Sequence, residues 1–366
     1  MGMAPFRTTP IPLNPEILNL VAELDGFRAK WTVTQILAPD RLAALRRVAT
    51  IESIGSSTRI EGAKLTNSEI EALLRGVKTY SFRSRDEQEV AGYGEVMEMI
   101  FSSYRDIPLT ENHIKQLHSV LLKYSTKDDR HRGDYKKFPN HVAAYGPDGE
   151  NLGIIFQTAS PFDTPRLMKE LIEWTTLQLD RKELHALLII AIFVVVFLQI
   201  HPFQDGNGRL SRALTTLLLM QQGYSYVPYS SMERVIEEHK DAYYLALRRG
   251  QGELEKTAPA TSPSAASETW SGGMKDWIVF FLRSMQRQKA SLETKLANEL
   301  LLTRLPRLSQ QLIELIKGRG PTSVAEAVTA TGANRNTVKA HFRTLVAEGQ
   351  LVSDGAGRGV RYRMKA

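Results

Sequence analysis

Residues 186–198, ALLIIAIFVVVFL, form an unbroken apolar run of 13 residues. The run is shorter than the ~20 residues that a membrane-spanning helix needs, so we expect it to lie inside a protein core. Its many β-branched residues would also suit a buried strand, because periodicity alone does not separate the two structures. The pattern that follows is helical, and we therefore predict a buried central helix.

A loop rich in glycine and charged residues follows the run, HPFQDGNGRLSR at 201–212. Pro202 prevents continuation of the helix, and Gly206 and Gly208 permit backbone torsions that turn N–H groups inward as an anion-binding nest. Gly223 is a suitable C-terminal cap for a second helix that begins at these glycines. The apolar face of that helix is predicted from the spacing of Leu210, Ala213, Leu214, Leu217 and Leu218.

Arg209 and Arg212 stand three residues apart in the first turn of this second helix, where the helix dipole disfavours cations. We therefore expect an anion to offset them, and a polyphosphate fits, with Asp205 as a ligand of the accompanying Mg²⁺. His201 is left to act as a general base, since an unperturbed histidine has a pKa of about 6.5. The alternative is a helix-end histidine, a glycine-rich turn and solvated arginines without chemistry.

The segment 201–212 has every defining position of the Fic motif, His-x-Phe-x-Asp/Glu-Gly-Asn-Gly-Arg-x-x-Arg, and the chain thus resembles the Fic-domain protein adenylyltransferases. The resemblance implies a mostly helical fold and Mg²⁺-dependent transfer of AMP from ATP to a Ser, Thr or Tyr hydroxyl of a target protein, or of the enzyme itself. It also implies that His201 deprotonates the hydroxyl, that Asp205 holds the metal and that Phe203 anchors the loop. The implied nucleotide-binding residues are Gly206, Asn207, Gly208, Arg209, Leu210, Ser211, Arg212 and, near the adenine, Tyr244.

A second constellation lies in SSTRIEGAKLT, residues 56–66. Glu61 stands in the last turn of a helix that we predict from Arg41 to Ile60, where a carboxylate is disfavoured by the dipole. Ser57, Glu61 and Gly62 match the inhibitory motif Ser/Thr-x-x-x-Glu-Gly/Asn of many Fic proteins. The resemblance implies that Glu61 pairs with Arg212 and blocks productive placement of the ATP γ-phosphate. The alternative is an exposed glutamate at a helix end.

The helix that carries Glu61 is expected to end at Gly62. Thr66 and Glu69 then form a capping box for a short helix that stops near Gly76.

With 366 residues the chain is long enough for two or three domains. We predict a helical region with the inhibitory motif over 1–110, a Fic core over 111–300 and a winged helix-turn-helix domain over 301–366. The resemblance places a target-docking β-hairpin flap within 133–162, with a turn at Pro147, Asp148 and Gly149. Residues 251–273, rich in Ser, Ala, Thr and Pro, predict a flexible insertion. The predicted fold class is mostly α.

Basic charge is concentrated in the last 66 residues of the chain. Residues 301–366 contain 11 Lys and Arg against 4 Asp and Glu, an excess that equals the net charge of +7 for the whole chain. The order helix, helix, helix, wing resembles a winged helix-turn-helix domain, with Asn334 to Leu345 as recognition helix and Arg335, Lys339 and Arg343 on one face. DNA is therefore an expected partner, and a module for protein docking or dimerisation is the alternative.

The composition narrows the remaining function classes. Cysteine is absent, which excludes disulfides and thiolate metal sites. The first residues lack an apolar signal core, so we expect a cytoplasmic protein that does not contact membranes, either as a monomer or as a homodimer. We predict an autoinhibited AMP transferase. A Fic enzyme that removes AMP, and a DNA-binding regulator whose Fic core senses nucleotide, stay open as alternatives.

Overall fold

The structure is a computed structural model that describes residues 14–33, 38–76, 82–140, 142–145, 151–156, 158–256, 272–355 and 359–365. The chain divides into two compact units, residues 1–292 and 293–366. Helices dominate, which confirms the predicted mostly helical fold. The helices are α1 (Pro15–Val33), α2 (Pro39–Ile60), α3 (Asn67–Gly76), α4 (Arg85–Ser103), α5 (Glu111–Leu121), α6 (Thr164–Arg181), α7 (Ala186–Ile200), α8 (Asn207–Gln221), α9 (Met232–Glu238), α10 (Lys240–Lys256), α11 (Gly272–Arg304), α12 (Arg307–Arg319), α13 (Val324–Thr331) and α14 (Arg335–Ala347).

The apolar run forms α7, as predicted, and α7 is the centre of the first unit. Of its 15 residues, 14 are buried, which is the pattern of a helix covered on all sides. Helices α6, α8 and α10 pack against it, and α4 and α5 pack against α8. Within the described ranges, no helix is both long and apolar enough to cross a membrane. The predicted catalytic loop therefore joins two helices that are themselves fixed in the core.

Helix α2 ends in an unusual buried turn of small polar residues, Ser56, Ser57 and Thr58. Their small side chains let the end of α2 approach the catalytic core closely, and α2 packs against α4, α8 and α9. The predicted capping box is confirmed: the backbone N–H of Glu69 donates to Oγ1 of Thr66 at 3.3 Å, and that of Thr66 donates to the Glu69 carboxylate at 2.8 Å. The predicted ends of α2 and α3 agree with the structure.

The predicted hairpin is present as strands β1 (Val142–Tyr145) and β2 (Asn151–Phe156), which pair antiparallel. Its predicted turn, Pro147 to Gly149, lies outside the described residues. The predicted insertion 251–273 is wrong at both ends, because α10 continues to Lys256 and α11 begins at Gly272. Residues 251–256, QGELEK, are mostly good helix formers, so α10 continues through them; residues 257–271 lie outside the described ranges.

Among the described residues, the second unit contains the end of α11, the three short helices α12, α13 and α14, and a three-stranded antiparallel sheet. The strands β3 (Thr322–Ser323), β4 (Leu351–Asp354) and β5 (Arg361–Met364) lie in the order β3-β5-β4. A capping box at Ser323 and Glu326 begins α13, and Gly332, with a φ of 67°, ends it. The unit has a core of its own, formed by Leu302, Leu312, Ile313, Ile316, Ala327, Val338, Phe342, Leu345 and Leu351.

Two glycines in helices give opposite predictions for substitution by alanine. A Cβ added to Gly92 would overlap the carbonyl oxygen of Leu121, so Gly92 is required where α4 and α5 cross. Gly26 in α1 has open space around it. We expect Gly92→Ala to lower the free energy of unfolding by about 1–3 kcal/mol through overpacking. Gly26→Ala should raise it by about 0.5–1 kcal/mol through helix propensity. Urea denaturation of both variants checks the pair, and a neutral Gly92→Ala would contradict the close crossing.

Candidate active site

The loop between α7 and α8 has an unusual backbone conformation at both ends. The backbone N–H of His201 donates to the carbonyl oxygen of Phe197 at 2.9 Å and so ends α7. His201 has a φ of 53°, a left-handed conformation that costs free energy for a residue with a Cβ and is typical of functional sites. Gly206 has a φ of 79° and turns the chain into α8.

The imidazole of His201 is arranged to accept a proton. Its Nδ1 lies 3.1 Å from the carbonyl oxygen of Leu198, which can only accept, so Nδ1 carries the hydrogen and Nε2 has a free lone pair. Burial lowers the pKa of His201 to about 4, against the opposing effect of the Leu198 carbonyl and nearby carboxylates. At neutral pH the ring is therefore a neutral base.

Asn207 closes the loop from inside. Its Oδ1 accepts the backbone N–H of Phe203 at 2.9 Å, and its Nδ2 donates to the carbonyl oxygen of Phe203 at 2.7 Å. Phe203 is fully buried, as predicted for the residue that anchors the loop. Both polar atoms of the Asn207 side chain are thus held within the loop, and its backbone N–H remains for an anion. That N–H, with those of Gly208 and Arg209, has no acceptor within α8.

His118 of α5, which sequence reasoning missed, supports the loop from the other side. Its Nδ1 accepts the backbone N–H of Gly133 at 3.0 Å, so Nε2 carries the hydrogen and donates to the carbonyl oxygen of Asp205 at 3.0 Å. The ring stacks on Phe203 with 3.8 Å between centroids. Burial lowers the pKa of His118 to about 4, which keeps it neutral.

A buried lysine, also missed, holds the carbonyl groups at the start of the loop. Nζ of Lys136 donates to the carbonyl of Ile200 at 3.0 Å, to Oδ1 of Asn140 at 2.8 Å and to Oγ1 of Thr158 at 3.0 Å. Asn140 in turn donates to the carbonyl oxygens of His201 and Phe203, at 3.2 and 2.6 Å. Burial lowers the pKa of Lys136 to about 8. The segments on either side of the hairpin thus fix the backbone of His201.

Arg209 in the first turn of α8 and Arg212 in the second turn are both buried, with 2% and 5% of each residue exposed. A buried guanidinium needs a compensating negative charge. Arg209 lies 3.0 Å from the carboxylate of Glu89 and 3.3 Å from that of Asp205, and Arg212 lies 2.7 Å from that of Glu61. The expected anions are therefore present as carboxylates of the chain itself.

Ser57, Glu61 and Arg212 meet as the inhibitory motif implies. Nη2 of Arg212 donates to Oε1 of Glu61 at 2.7 Å and to the carbonyl oxygen of Ser57 at 2.8 Å, and Nε donates to Oγ of Ser57 at 2.8 Å. Burial alone would raise the pKa of Glu61. The Arg212 guanidinium lowers this pKa by more than burial raises it, so the net shift is downward and Glu61 is ionised. Gly62, with a φ of 103°, turns the chain away directly after Glu61.

The Glu61 carboxylate lies on the N-terminal turn of α8. A Cβ added to Gly208 would overlap Oε1 of Glu61 and come within 3.0 Å of its Cδ. The start of a helix attracts anions because its first N–H groups are unpaired and the dipole is positive there. Glu61 thus takes the position at which the sequence predicts a phosphate group, and Gly208 leaves the space for it.

Arg59, between Ser57 and Glu61 in the sequence, fixes the end of α2. Its Nε and Nη2 donate to the two carboxylate oxygens of Glu237 in α9, at 2.7 and 3.0 Å. Its Nη1 donates to the carbonyl of Leu65 and to Oδ1 of Asn67, both at 3.1 Å. This bidentate pair holds the turn that carries Glu61 against the core.

The Asp205 carboxylate has the chemistry to bind a metal ion that is also coordinated by the phosphates of a nucleotide. Its carboxylate is one third exposed, and its pKa is lowered, because Arg209 and the Gly206 N–H outweigh the effect of burial. Among the described residues no group of three or more His, Asp or Glu could hold a metal ion. Mg²⁺ in nucleotide enzymes is usually bound by one or two carboxylates together with the substrate phosphates. A single carboxylate beside the first turn of α8 meets that requirement.

Three further residues were predicted to contact the nucleotide: Leu210, Ser211 and Tyr244. The side chain of Leu210 is fully buried in the core, and that of Ser211 is equally buried. Tyr244 is 41% exposed on α10, whereas its neighbour Tyr243 is buried. Burial raises the pKa of Tyr243, and the nearby Arg212 guanidinium opposes this. Tyr243, and not Tyr244, lines a small cavity together with Arg212.

Comparison with known proteins agrees with this geometry. Residues 108–219 match the model of the Fic/DOC family. A protein adenylyltransferase Fic of Drosophila willistoni is 28% identical over 216 residues, which cover 58% of this chain and 40% of that protein. The chain therefore matches less than half the length of that relative.

Two solved structures share the fold. A Fic family protein from Desulfovibrio desulfuricans G20 matches with a TM-score of 0.60 and 23% identity over 97% of this chain and 98% of that chain. A Fic domain containing signaling protein from Bacteroides thetaiotaomicron VPI-5482 matches with a TM-score of 0.54 and 25% identity over 76% of this chain and 97% of that chain. Residues 108–219 of the chain are thus similar to a Fic domain.

His118 gives the site a testable pH dependence. Its pKa rises from about 4 in the folded protein to about 6.5 on unfolding, so the unfolded state binds more protons between these values and stability falls as the pH falls. From pH 7 to pH 5 the loss from this residue is about 2 kcal/mol. His118→Gln keeps a donor for the Asp205 carbonyl but does not titrate. Urea titrations at pH 7 and pH 5 measure the free energy of unfolding of both proteins. The decrease from pH 7 to pH 5 should be about 2 kcal/mol smaller for His118→Gln than for the wild type. Equal losses would contradict the buried neutral ring.

Proposed function

We propose that this Fic-domain chain transfers AMP from ATP to a Ser, Thr or Tyr hydroxyl of a target protein, and to itself, and that Glu61 restrains the reaction. The observation that carries the proposal is the N-terminal turn of α8, where two buried arginines and unpaired backbone N–H groups face an internal carboxylate beside a neutral histidine. The names of the relatives support the reaction type.

The proposed reaction is an in-line displacement at the α-phosphorus. Nε2 of His201 accepts the proton of the target hydroxyl, the oxygen bonds to the α-phosphorus, and the bond from that phosphorus to the bridging oxygen breaks to release pyrophosphate. Arg209, Arg212 and the N–H groups at the start of α8 stabilise the phosphate charge, which is the main contribution that a protein makes to such transfers. Mg²⁺ held by Asp205 would neutralise further phosphate charge when it is bound.

The proposed restraint follows from the position of Glu61. Its carboxylate binds Arg212, the residue expected to bind the terminal phosphate, and fills the space above Gly208 in which we expect that phosphate to lie. ATP in that state binds without the contact that aligns its α-phosphorus with the incoming hydroxyl. Since Arg59 ties this turn to α9, the restraint belongs to the resting structure.

The assignment of His201 is tested by His201→Ala. Removal of a general base costs about 10²- to 10⁴-fold in rate, whereas ATP binding depends on α8 and should persist. Transfer from α-labelled ATP and nucleotide binding by calorimetry are measured together, with His113→Ala as the control for loss of a histidine. Transfer at the wild-type rate by His201→Ala would refute the assignment. Net release of AMP from a labelled target by the wild type would favour the alternative reaction, in which water attacks the phosphorus and frees the hydroxyl.

The restraint is tested by Glu61→Gly, which deletes the carboxylate. We expect transfer to rise by roughly tenfold or more, since each ~1.4 kcal/mol of competition removed is a factor of ten. Glu61→Gln keeps the size of the side chain without its charge and should also be faster than the wild type. The double variant with Arg212→Ala should be slow again. An unchanged or lower rate for Glu61→Gly, with folding intact, would show that Glu61 does not inhibit.

For the second unit we propose DNA binding as a separate function. The order α12, α13, α14 and hairpin resembles a winged helix-turn-helix, in which α14 is the recognition helix. Arg335, Lys339 and Arg343 are all exposed along α14, and within the described residues no carboxylate pairs with them. The arginines of β5 are paired instead, Arg361 with Glu326 and Arg363 with Asp354. The unpaired cations of α14 are the ones that favour a phosphate backbone.

Salt dependence tests this second proposal. Each phosphate neutralised contributes about −0.9 to the slope of log K against log salt, so Arg335→Ala with Lys339→Ala should flatten the slope by up to about 2. Fluorescence anisotropy with genomic fragments measures it, and Lys317→Ala with Arg319→Ala on α12 is the matched control. No binding at low salt would leave a protein-docking module as the function of this unit.

A further inference from the structure

A ring of alternating charges surrounds the proposed metal ligand Asp205. Arg85, the first residue of α4, donates through Nη2 to Oδ2 of Asp205 and through Nε to Oε1 of Glu89, both at 2.8 Å. Arg209 lies 3.3 Å from Oδ1 of Asp205 and 3.0 Å from Oε2 of Glu89. Each carboxylate thus contacts both guanidinium groups, and both oxygens of Asp205 have a cationic partner.

The two arginines of this ring differ in how firmly they are held. The side chain of Arg209 is 3% exposed and that of Arg85 is 49% exposed. Arg85 also stands in the first turn of α4, where the helix dipole disfavours a cation. Loss of an exposed ion pair costs little free energy, whereas a buried one is costly to break. Arg85 is therefore the member of the ring that can leave.

A divalent cation at Asp205 has to compete with Arg85. Mg²⁺ needs a carboxylate oxygen at about 2.0–2.1 Å, which a guanidinium on the same oxygen obstructs. Without nucleotide, the cation takes the place of Arg85 at the Asp205 carboxylate. Arg85 then keeps only Glu89 as its anionic partner. With a nucleotide, the phosphate oxygens offer Arg85 a new anionic partner, so the exchange is easier.

We propose that Arg85 is an exchangeable counter-ion of Asp205, which opposes binding of a free divalent cation and moves to the polyphosphate when the metal enters with its nucleotide. The second half of the proposal rests on the proposed function, since it requires ATP. The first half does not, because competition for Asp205 occurs in the nucleotide-free protein. Arg85 is in this account a positioning residue that selects the metal–nucleotide complex over the metal alone.

The experiment measures Mn²⁺ binding to the full chain without nucleotide, from the free Mn²⁺ signal in electron paramagnetic resonance. Arg85→Ala should bind Mn²⁺ about fivefold more tightly than the wild type, because a half-exposed ion pair is lost as a competitor. Arg85→Lys keeps the charge and should show a smaller gain. Arg75→Ala removes another exposed, ion-paired arginine, on α3, and should show none.

Two further measurements keep the outcomes separate. Asp205→Asn should abolish the gain in the Arg85→Ala background, which places the ion at Asp205. With ATP present, Arg85→Ala should lose its advantage over the wild type, because the phosphate contact of Arg85 is lost with it. Equal Mn²⁺ affinities of the wild type and Arg85→Ala would overturn the proposed role of Arg85 as counter-ion, provided that thermal melting shows both proteins to be folded. A gain in Mn²⁺ affinity in a protein that transfers no AMP would overturn only the proposed function.

Discussion

Burial of two guanidinium groups in the first two turns of α8 is the constraint on which the rest of this site depends. Arg209 stands in the first turn, where a helix dipole repels cations, and the burial of Arg209 and Arg212 removes the water that would otherwise compensate their charges. The nucleotide-free protein is stable because carboxylates from α2, α4 and the loop replace the anion. The same positions are the ones that we propose for phosphates, so resting and loaded states share one set of cations.

This shared use explains why the inhibition that we propose for Glu61 would require few contacts. Glu61 makes one ion pair, but Ser57 provides two further acceptors for Arg212, and Arg59 fixes the turn against Glu237. Removal of Glu61 leaves Arg212 hydrogen-bonded to Ser57, which limits the cost of an uncompensated buried charge. The proposed restraint is thus a competition for Arg212 within a scaffold that changes little.

Much of the site was predictable from the sequence, because its features are local. The apolar run and the glycines at 206 and 208 act on neighbouring residues, and α7, the loop and α8 are where they were expected. The Glu61–Arg212 pair is the exception: it joins residues 151 positions apart and was predicted from the resemblance of the two motifs to a family. His118, Lys136 and Arg85 were missed, since their contacts with residues 200 and 205 join positions 64 to 120 apart and neither motif includes them. The insertion was predicted too long because the helix formers within residues 251–256 were given too little weight.

We propose that Glu61 competes with the terminal phosphate and with no other part of the nucleotide. Calorimetric titration of wild type and Glu61→Gly with AMP and with an ATP analogue that carries a methylene group between its α- and β-phosphorus tests this directly. AMP lacks the terminal phosphates, and the analogue binds without transfer. We expect the variant to bind the analogue more tightly than the wild type does and to bind AMP with unchanged affinity. An equal gain in affinity for both ligands, or a gain for neither, would contradict competition at the terminal phosphate.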